Sequence, residues 1–193
     1  MLMNKISFIG SGNVALHLSK ALKNSACSII SVSSKNQTHA KELANLVGAK
    51  TCSISEIDPS IDLLIISVND DAIMDVIRDI PKGIKSVIHT SGAISMDVFK
   101  DRFENYGVFY PLQSFKKDRE IDFSTIPILI ESNNINFEKE LTEFALRVTN
   151  RVEVMNSESR KTLHLAAVFA NNFVNLLATE AYEILERANI DGS

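Results

Sequence analysis

The sequence predicts an α/β fold: a doubly wound, mostly parallel sheet followed by a long helix that begins an α-helical C-terminal domain. Three observations predict it. Strand-like apolar runs alternate with helix-like segments, with no internal repeat and no low-complexity linker. Leu63-Leu64-Ile65-Ile66 is continuously apolar, as a strand covered on both faces is. Residues 157–188 carry a helical pattern too long for a crossover helix. The alternation implies parallel strands with right-handed crossovers, and the units are too few for a closed barrel.

A first strand is expected near 4–9, a helix near 13–23 and a second strand near 28–32. A helix over 37–47 places Ala40, Leu43, Ala44 and Val47 on one face. A short strand follows near 49–52. The strand near 62–68 leads to a helix over 71–79, capped by Asp70 or Asp71 and stopped by Pro81 and Gly83. A strand near 85–89 and a helix over 95–103 capped by Ser95 come next. Pro111 ends a strand near 106–110. The remaining elements are strands near 126–131 and 151–154, with a helix over 136–149 between them capped by Asn136.

The helix over 157–188 would be roughly 48 Å long at 1.5 Å per residue. Leu165 to Ala170 is apolar on every side, so this helix must be surrounded. A sheet cannot do that alone. The helix therefore begins a domain that is only started here or is completed by a partner chain, and Asn189 to Ser193 reads as a turn toward another helix. The expected units are 1–155, binding a cofactor, and 156–193, for substrate and dimerisation.

Composition narrows the function. A net charge of −4, with no Lys/Arg-rich run, argues against a nucleic-acid partner. The longest apolar stretch, Leu165 to Ala178, is broken by Asn171, Asn172 and Asn175 and is too polar to span a membrane. Cys27 and Cys52 form no metal-ligand or disulfide pattern, so no metal site is expected and a reducing cytoplasm is the default. The N-terminus does not read as a signal peptide.

The strongest motif is Gly10-Ser11-Gly12-Asn13-Val14-Ala15, between a strand and a helix. Gly10 permits a tight turn, Gly12 lets the backbone approach a pyrophosphate, and Ala15 allows close helix–strand packing. The helix N-terminus supplies N–H groups and positive dipole to phosphates. An NAD site usually places Asp or Glu at the end of the second strand. Residues 31–38 contain no acid. Ser33, Ser34 and Lys35 offer hydroxyls and a cation suited to a 2′-phosphate, which points to NADP. Val68, Asn69 and Asp70 follow the buried strand and should lie beside the cofactor. Thr90 and Ser91 follow the next strand, at the same rim, where Gly92 permits close approach. Tyr110-Pro111-Leu112-Gln113-Ser114-Phe115 ends another strand and offers a pocket wall.

On the long helix, Asn171, Asn175 and Tyr182 lie 7, 11 and 18 residues after His164. At 3.6 residues per turn all fall within about 20° of one line. This is a polar seam on an apolar helix, and it must face a cleft, a ligand or another polar chain. His164 could act as a general acid, with Asn172 flanking the seam. The same seam could instead be a hydrogen-bonded line at a helix–helix or subunit interface.

Together these residues resemble Rossmann-like NADP oxidoreductases with a C-terminal helical domain of unknown function. Their relatives are pyrroline-5-carboxylate reductase, the β-hydroxyacid dehydrogenases and the F420-dependent NADP reductases. The resemblance rests on Ile9 to Ala15, Ser67 to Ile73, His89 to Gly92, Tyr110 to Phe115 and His164 to Asn172, in the expected order. It implies hydride transfer between NADPH and a small carbonyl or imine, with His164 donating the proton, Asn171 or Asn172 orienting the substrate and Ser91 near it. Two positions depart from the pattern. Tyr110 stands where the family often has His. Ala167 and Val168 stand one turn before Asn171 and Asn172, where β-hydroxyacid dehydrogenases carry a catalytic Lys. The alternative is a non-catalytic dinucleotide-binding or sensing module whose long helix serves homodimerisation.

Overall fold

A computed structural model describes residues 3–190 of the chain. Residues 191–193, at the end of the expected second domain, lie outside the described residues. Eight strands form one sheet in the order β3-β2-β1-β4-β5-β6-β7-β8. They are β1 (Lys5–Ile9), β2 (Ser28–Ser33), β3 (Lys50–Thr51), β4 (Leu63–Ile66), β5 (Ser86–His89), β6 (Asn105–Pro111), β7 (Ile128–Ser132) and β8 (Val152–Val154). The helices are α1 (Asn13–Asn24), α2 (Gln37–Val47), α3 (Ile73–Asp79), α4 (Ile135–Ala145), α5 (Ser157–Val168) and α6 (Val174–Arg187). The expected doubly wound, Rossmann-type architecture is present. The strand order reverses between β1 and β4, which opens the crevice where such sheets bind ligands.

Alternate strand residues feed two cores. Phe8, Leu63, Ile65 and Ile88 face α1, α2 and α4. Ile9, Leu64, Ile66 and Val87 face α3 and the Phe99–Phe103 pair. All four residues of β4 are buried, because both faces of the sheet are covered there.

Several local expectations are corrected. The 95–103 segment forms only a 3-10 turn, Met96–Phe99, although Ser95 caps it as expected. Lys100 is extended and Asp101 has φ +64°, so no helix can continue. Asp70 and Asp71 do not cap α3; they begin a 3-10 turn without a side-chain cap, which leads directly into the helix. The cap of α4 is Asn134 rather than Asn136, its side chain accepting from the Phe137 N–H. That helix stops at Ala145, not 149. β7 runs antiparallel to β6, because residues 112–127 supply no crossover helix.

The expected long helix runs without a break over 157–187, but not at uniform pitch. A π-helical turn, Phe169–Phe173, separates α5 from α6, so a uniform projection at 3.6 residues per turn fails across it. Nor is the helix surrounded within the chain: Leu165, Phe169, Phe173, Val174, Leu176, Leu177 and Ile184 are all exposed. Among the described residues, no helix is long and apolar enough to cross a membrane.

What docks α5 is a buried ion pair. Arg160 is fully buried and pairs with Glu131 of β7. Its guanidinium also donates to the Ile94 carbonyl and the Ser157 hydroxyl. Ser157 in turn donates to Glu131 through both its N–H and its hydroxyl. Removing one member of a buried pair strands the other charge, at about 3–5 kcal/mol. Glu131→Gln is therefore expected to lower unfolding free energy by about that amount in urea denaturation. A loss below about 1 kcal/mol would show that the pair does not hold the helix.

Candidate functional site

The C-terminal ends of β1, β4, β5 and β6 lie on one rim, since these strands are mutually parallel. At the end of β1 the chain turns at Gly10, whose φ is +116°. A Cβ there would lie 1.9 Å from the Ser67 carbonyl oxygen, so only glycine fits. The Gly10 N–H donates to the Ser33 carbonyl (2.8 Å), joining the glycine turn to β2. Gly12 differs. Its φ is −77°, and a Cβ would meet nothing within 4 Å. The protein itself does not need glycine at this point; the missing side chain leaves open cleft. Gly12 is also the N-cap of α1, with no side-chain cap and no acid in the first turn. The amides of that turn remain free for an anion. These features fit the pyrophosphate of a dinucleotide.

The loop after β2 sits next to this turn. Ser11 donates to the Ser34 hydroxyl (2.8 Å). Ser33 is buried and engaged through its carbonyl, while Ser34 is half-buried and Lys35 exposed. Lys35 has no ion-pair partner among the described residues. Ser34 and Lys35 are thus the members of the acid-free loop with surface to offer a 2′-phosphate.

A cleft of about 550 Å³ runs along the rim. Gly12, Asn13 and Val14 line one side, and Val68, Asn69, Asp70, Thr90 and Ser91 the other. Tyr110, Gln113 and His164 close its far end. Thr90 donates to the Ser67 hydroxyl (3.1 Å). The Ser91 hydroxyl accepts from the Ala93 and Ile94 N–H groups, which leaves its own proton free to donate. A second pocket, about 240 Å³, continues beyond Tyr110 and His164 along Ser114, Asn171 and Asn172. A wider groove of about 820 Å³ lies between α1 and the 117–124 loop. Of the basic groups along it, Arg147 donates to the Met3 and Ser25 carbonyls, and Lys117 pairs with Glu42.

The polar seam of the long helix turns toward this rim. His164 Nδ1 lies 2.8 Å from the Tyr110 hydroxyl. Asn171 donates to the Ser114 hydroxyl (2.7 Å) and to the Asn172 side-chain oxygen (3.0 Å). Asn175 reaches Asn171 at 3.4 Å. Tyr182 stays exposed and joins none of these bonds, so the seam is shorter than its spacing suggested. Sequence reasoning missed Tyr110 as a site residue. Its OH meets His164 across 54 positions, a separation at which spacing carries no signal. Burial holds the Tyr110 phenol above its ordinary pKa; the Arg160 charge opposes this and the Asp70 charge adds to it. The structure also shows that Asn13 donates to the Phe115 carbonyl (3.0 Å), fastening the 112–115 segment to the glycine turn.

His89 lies beneath the rim and is fully buried. Burial and, second, the Arg160 charge push its pKa down to about 3, against a small opposing effect of the Ser95 backbone. It is neutral at all ordinary pH and cannot supply a proton to the cleft.

Fold and rim together define a Rossmann-like chain, and the comparisons narrow the class. A family model described as NADP oxidoreductase, coenzyme F420-dependent, matches residues 5–92. A second, described as a domain of unknown function (DUF2520), matches residues 126–193. A Bacteroides fragilis protein described provisionally as an NADP oxidoreductase is 37% identical, over 97% of this chain and 74% of that one, with a TM-score of 0.88. The chain belongs to this family of Rossmann-like NADP oxidoreductases with a DUF2520 C-terminal domain. More distant solved structures share the fold. The 1-pyrroline-5-carboxylate reductase of Streptococcus pyogenes is 15% identical, over 97% of this chain and 71% of that one, with a TM-score of 0.71. An imine reductase of Myxococcus stipitatus, in complex with NADP+, is 15% identical, over 96% and 66%, with a TM-score of 0.70. No curated protein matches the chain.

Buried His89 makes stability depend on pH. The unfolded chain takes up a proton there below about pH 6.5, and the folded chain only near pH 3. Stability therefore falls as pH drops through that window, by about 1.4 kcal/mol per unit. Denaturation at pH 6.5 and at pH 5 should differ by about 1.7 kcal/mol from this group alone, the full slope being reached only well below pH 6.5. His89→Gln should flatten that difference; an unchanged slope in the variant would refute the assignment.

Proposed function

We propose that the protein is an NADP-dependent reductase of a small carbonyl or imine substrate. The observation that carries this reading is Gly12, an uncapped helix start whose absent side chain faces open cleft rather than protein. In this reading residues 1–155 hold the dinucleotide and residues 156–193 belong to a second, substrate-facing domain. Ser11, Gly12, Asn13 and Val14 receive the pyrophosphate on backbone N–H groups, while Gly10, whose N–H is held by the Ser33 carbonyl, makes the turn. Ser34 and Lys35 meet the 2′-phosphate, with Lys35 supplying the countercharge, and buried Ser33 ties the loop to the glycine turn through its carbonyl. Val68, Asn69, Asp70 and Thr90 line the cofactor side of the cleft. When bound, NADPH supplies the hydride.

The chain's own residues do the rest. Ser91, with its free hydroxyl proton, and Asn171 or Asn172 orient the substrate's polar atom. His164, at the junction of the two pockets, donates the proton. The apolar residues exposed on α5 and α6 call for a cover, and a second copy of the chain in a homodimer would provide one. A cytoplasmic setting agrees with the free cysteines Cys27 and Cys52.

The absence of a Lys one turn before Asn171 favours one second reading, a dinucleotide-binding module without turnover. Two experiments separate the possibilities. Fluorescence titration should show NADPH binding more tightly than NADH; no binding, or the reverse order, would sink the cofactor assignment. Gly12→Ala should keep wild-type stability yet weaken NADPH binding by tenfold or more, about 1.4 kcal/mol. Gly10→Ala, by contrast, should fail in stability itself. NADPH oxidation followed against a panel of cyclic imines and small ketones tests turnover. His164→Gln should lower kcat by about a hundredfold, the lower end of what a general acid contributes. Turnover untouched by that substitution would remove His164 from the chemistry, and none on any substrate would leave the binding module as the better account.

A further inference from the structure

We infer that Tyr110 is a positioning residue for His164: its hydroxyl donates to His164 Nδ1, keeping the imidazole proton on Nε2, and Gly92 is the spacer that lets the pair form. This rests on the reductase reading and adds which nitrogen of the neutral, resting His164 presents an N–H to the cleft; to give that proton up as an acid the ring first takes a proton at Nδ1, and the Tyr110 hydroxyl then turns to accept. Three elements bring the pair together: β6 carries Tyr110, α5 carries His164, and the turn after β5 carries Gly92.

The hydroxyl lies 2.8 Å from Nδ1 and the rings meet edge to face, 5.5 Å between centroids at 80°. A neutral imidazole has one donor and one acceptor nitrogen, and the bond made at one nitrogen decides the state of the other. The bond could run in either direction. A phenol oxygen, with its lone pair delocalised into the ring, accepts less readily than an imidazole nitrogen. Burial also keeps the phenol protonated, so it retains a proton to donate. The Tyr110 hydroxyl has no other hydrogen-bond partner among the described residues. Donation to Nδ1 satisfies both groups at once, whereas the reverse leaves the phenol proton without a protein acceptor. The remaining Nε2–H is then free for the cleft that His164 lines.

Gly92 is the independent observation. Its φ is not positive, so the backbone does not require glycine there. Its surroundings do. A Cβ on Gly92 would lie 2.6 Å from His164 Nδ1 and 2.8 Å from Tyr110 Cζ, closer than atoms can pack. The side chain is missing where the pair meets.

The test is the tautomer, read by ¹⁵N NMR of the full chain labelled at histidine, with His164→Gln assigning the signals. The wild type should show an unprotonated Nδ1 and a protonated Nε2 at His164. Tyr110→Phe keeps the ring contact and removes only the hydroxyl. It should lower the Nε2–H to Nδ1–H ratio about five- to tenfold, the worth of one hydrogen bond. Gly92→Ala should produce the same loss of bias with Tyr110 present, and it carries the test if Tyr110→Phe does not fold by circular dichroism. A wild-type Nδ1 that bears the proton, or a ratio unchanged in the variants, overturns the inference. This readout needs no turnover, so failure of the reductase reading is seen separately, in the substrate panel. Where turnover is measured, Tyr110→Phe should reduce kcat and leave KM unchanged.

Discussion

The Arg160–Glu131 pair is the constraint on which the far side of the site depends. Glu131 belongs to β7 and Arg160 to the first turns of α5, so the pair pins the helix to the sheet beyond the rim. His164 is four residues after Arg160, one turn along the same face. Once Arg160 is fixed, His164 is delivered to Tyr110. The arrangement is costly: both charges leave water, and Arg160 Nε finds no partner among the described residues. Well-packed apolar residues often hold a helix as firmly. What the ion pair adds is a single register, because Glu131, Ser157 and the Ile94 carbonyl meet one guanidinium only in one placement of the helix. The same buried charge helps to keep His89 neutral.

The 112–115 segment links the two halves of the site. At one end Asn13, inside the glycine turn, holds the Phe115 carbonyl. One residue earlier, Ser114 accepts from Asn171 on the long helix. His17 adds a second tie from α1, donating to the Lys116 carbonyl at 2.9 Å. The wall of the second pocket is therefore fastened to the helix whose uncapped N-terminus opens onto the cleft. Asn13 has a role beyond lending its backbone to the turn, and its side chain is not free to contact a cofactor while that bond is made.

Legibility in the sequence followed the range of the interactions. The eight strands, α1, α2 and the glycine turn could be read because apolar alternation and turn chemistry are local. The 95–103 segment has a cap at Ser95 but no helix, because Phe99 and Phe103, although at helical spacing, are placed by tertiary packing around His89 and Tyr106. The direction of β7 depends on the content of the connection before it, which strand composition does not record. The π turn breaks a projection that assumed uniform pitch, and so Tyr182 dropped out of the seam. Gly92 and Tyr110 were marked by their turns, but the Tyr110–His164 and Arg160–Glu131 pairings were not: each joins residues far apart in the chain, and no single segment carries that pattern.

The placement of the seam changes what the long helix can do. From spacing alone, the His164–Asn171–Asn175 line served a cleft or a subunit interface equally well. In the fold its first two members are engaged within the chain, by Tyr110 and by Ser114, and the third reaches Asn171. A buried interface built on those groups would have to break bonds that already satisfy them. Beside these polar groups, of which Asn171 and Asn175 are themselves exposed, the helix also exposes Leu165, Phe169 and Phe173, then Val174, Leu177 and Ile184. Phe169 and Phe173 stack on each other at 4.8 Å with no further cover. Any chain that covers this helix therefore meets an apolar surface and leaves the polar line to the cleft. The two readings of the helix, substrate wall and contact surface, need not compete, because they use different sides of it.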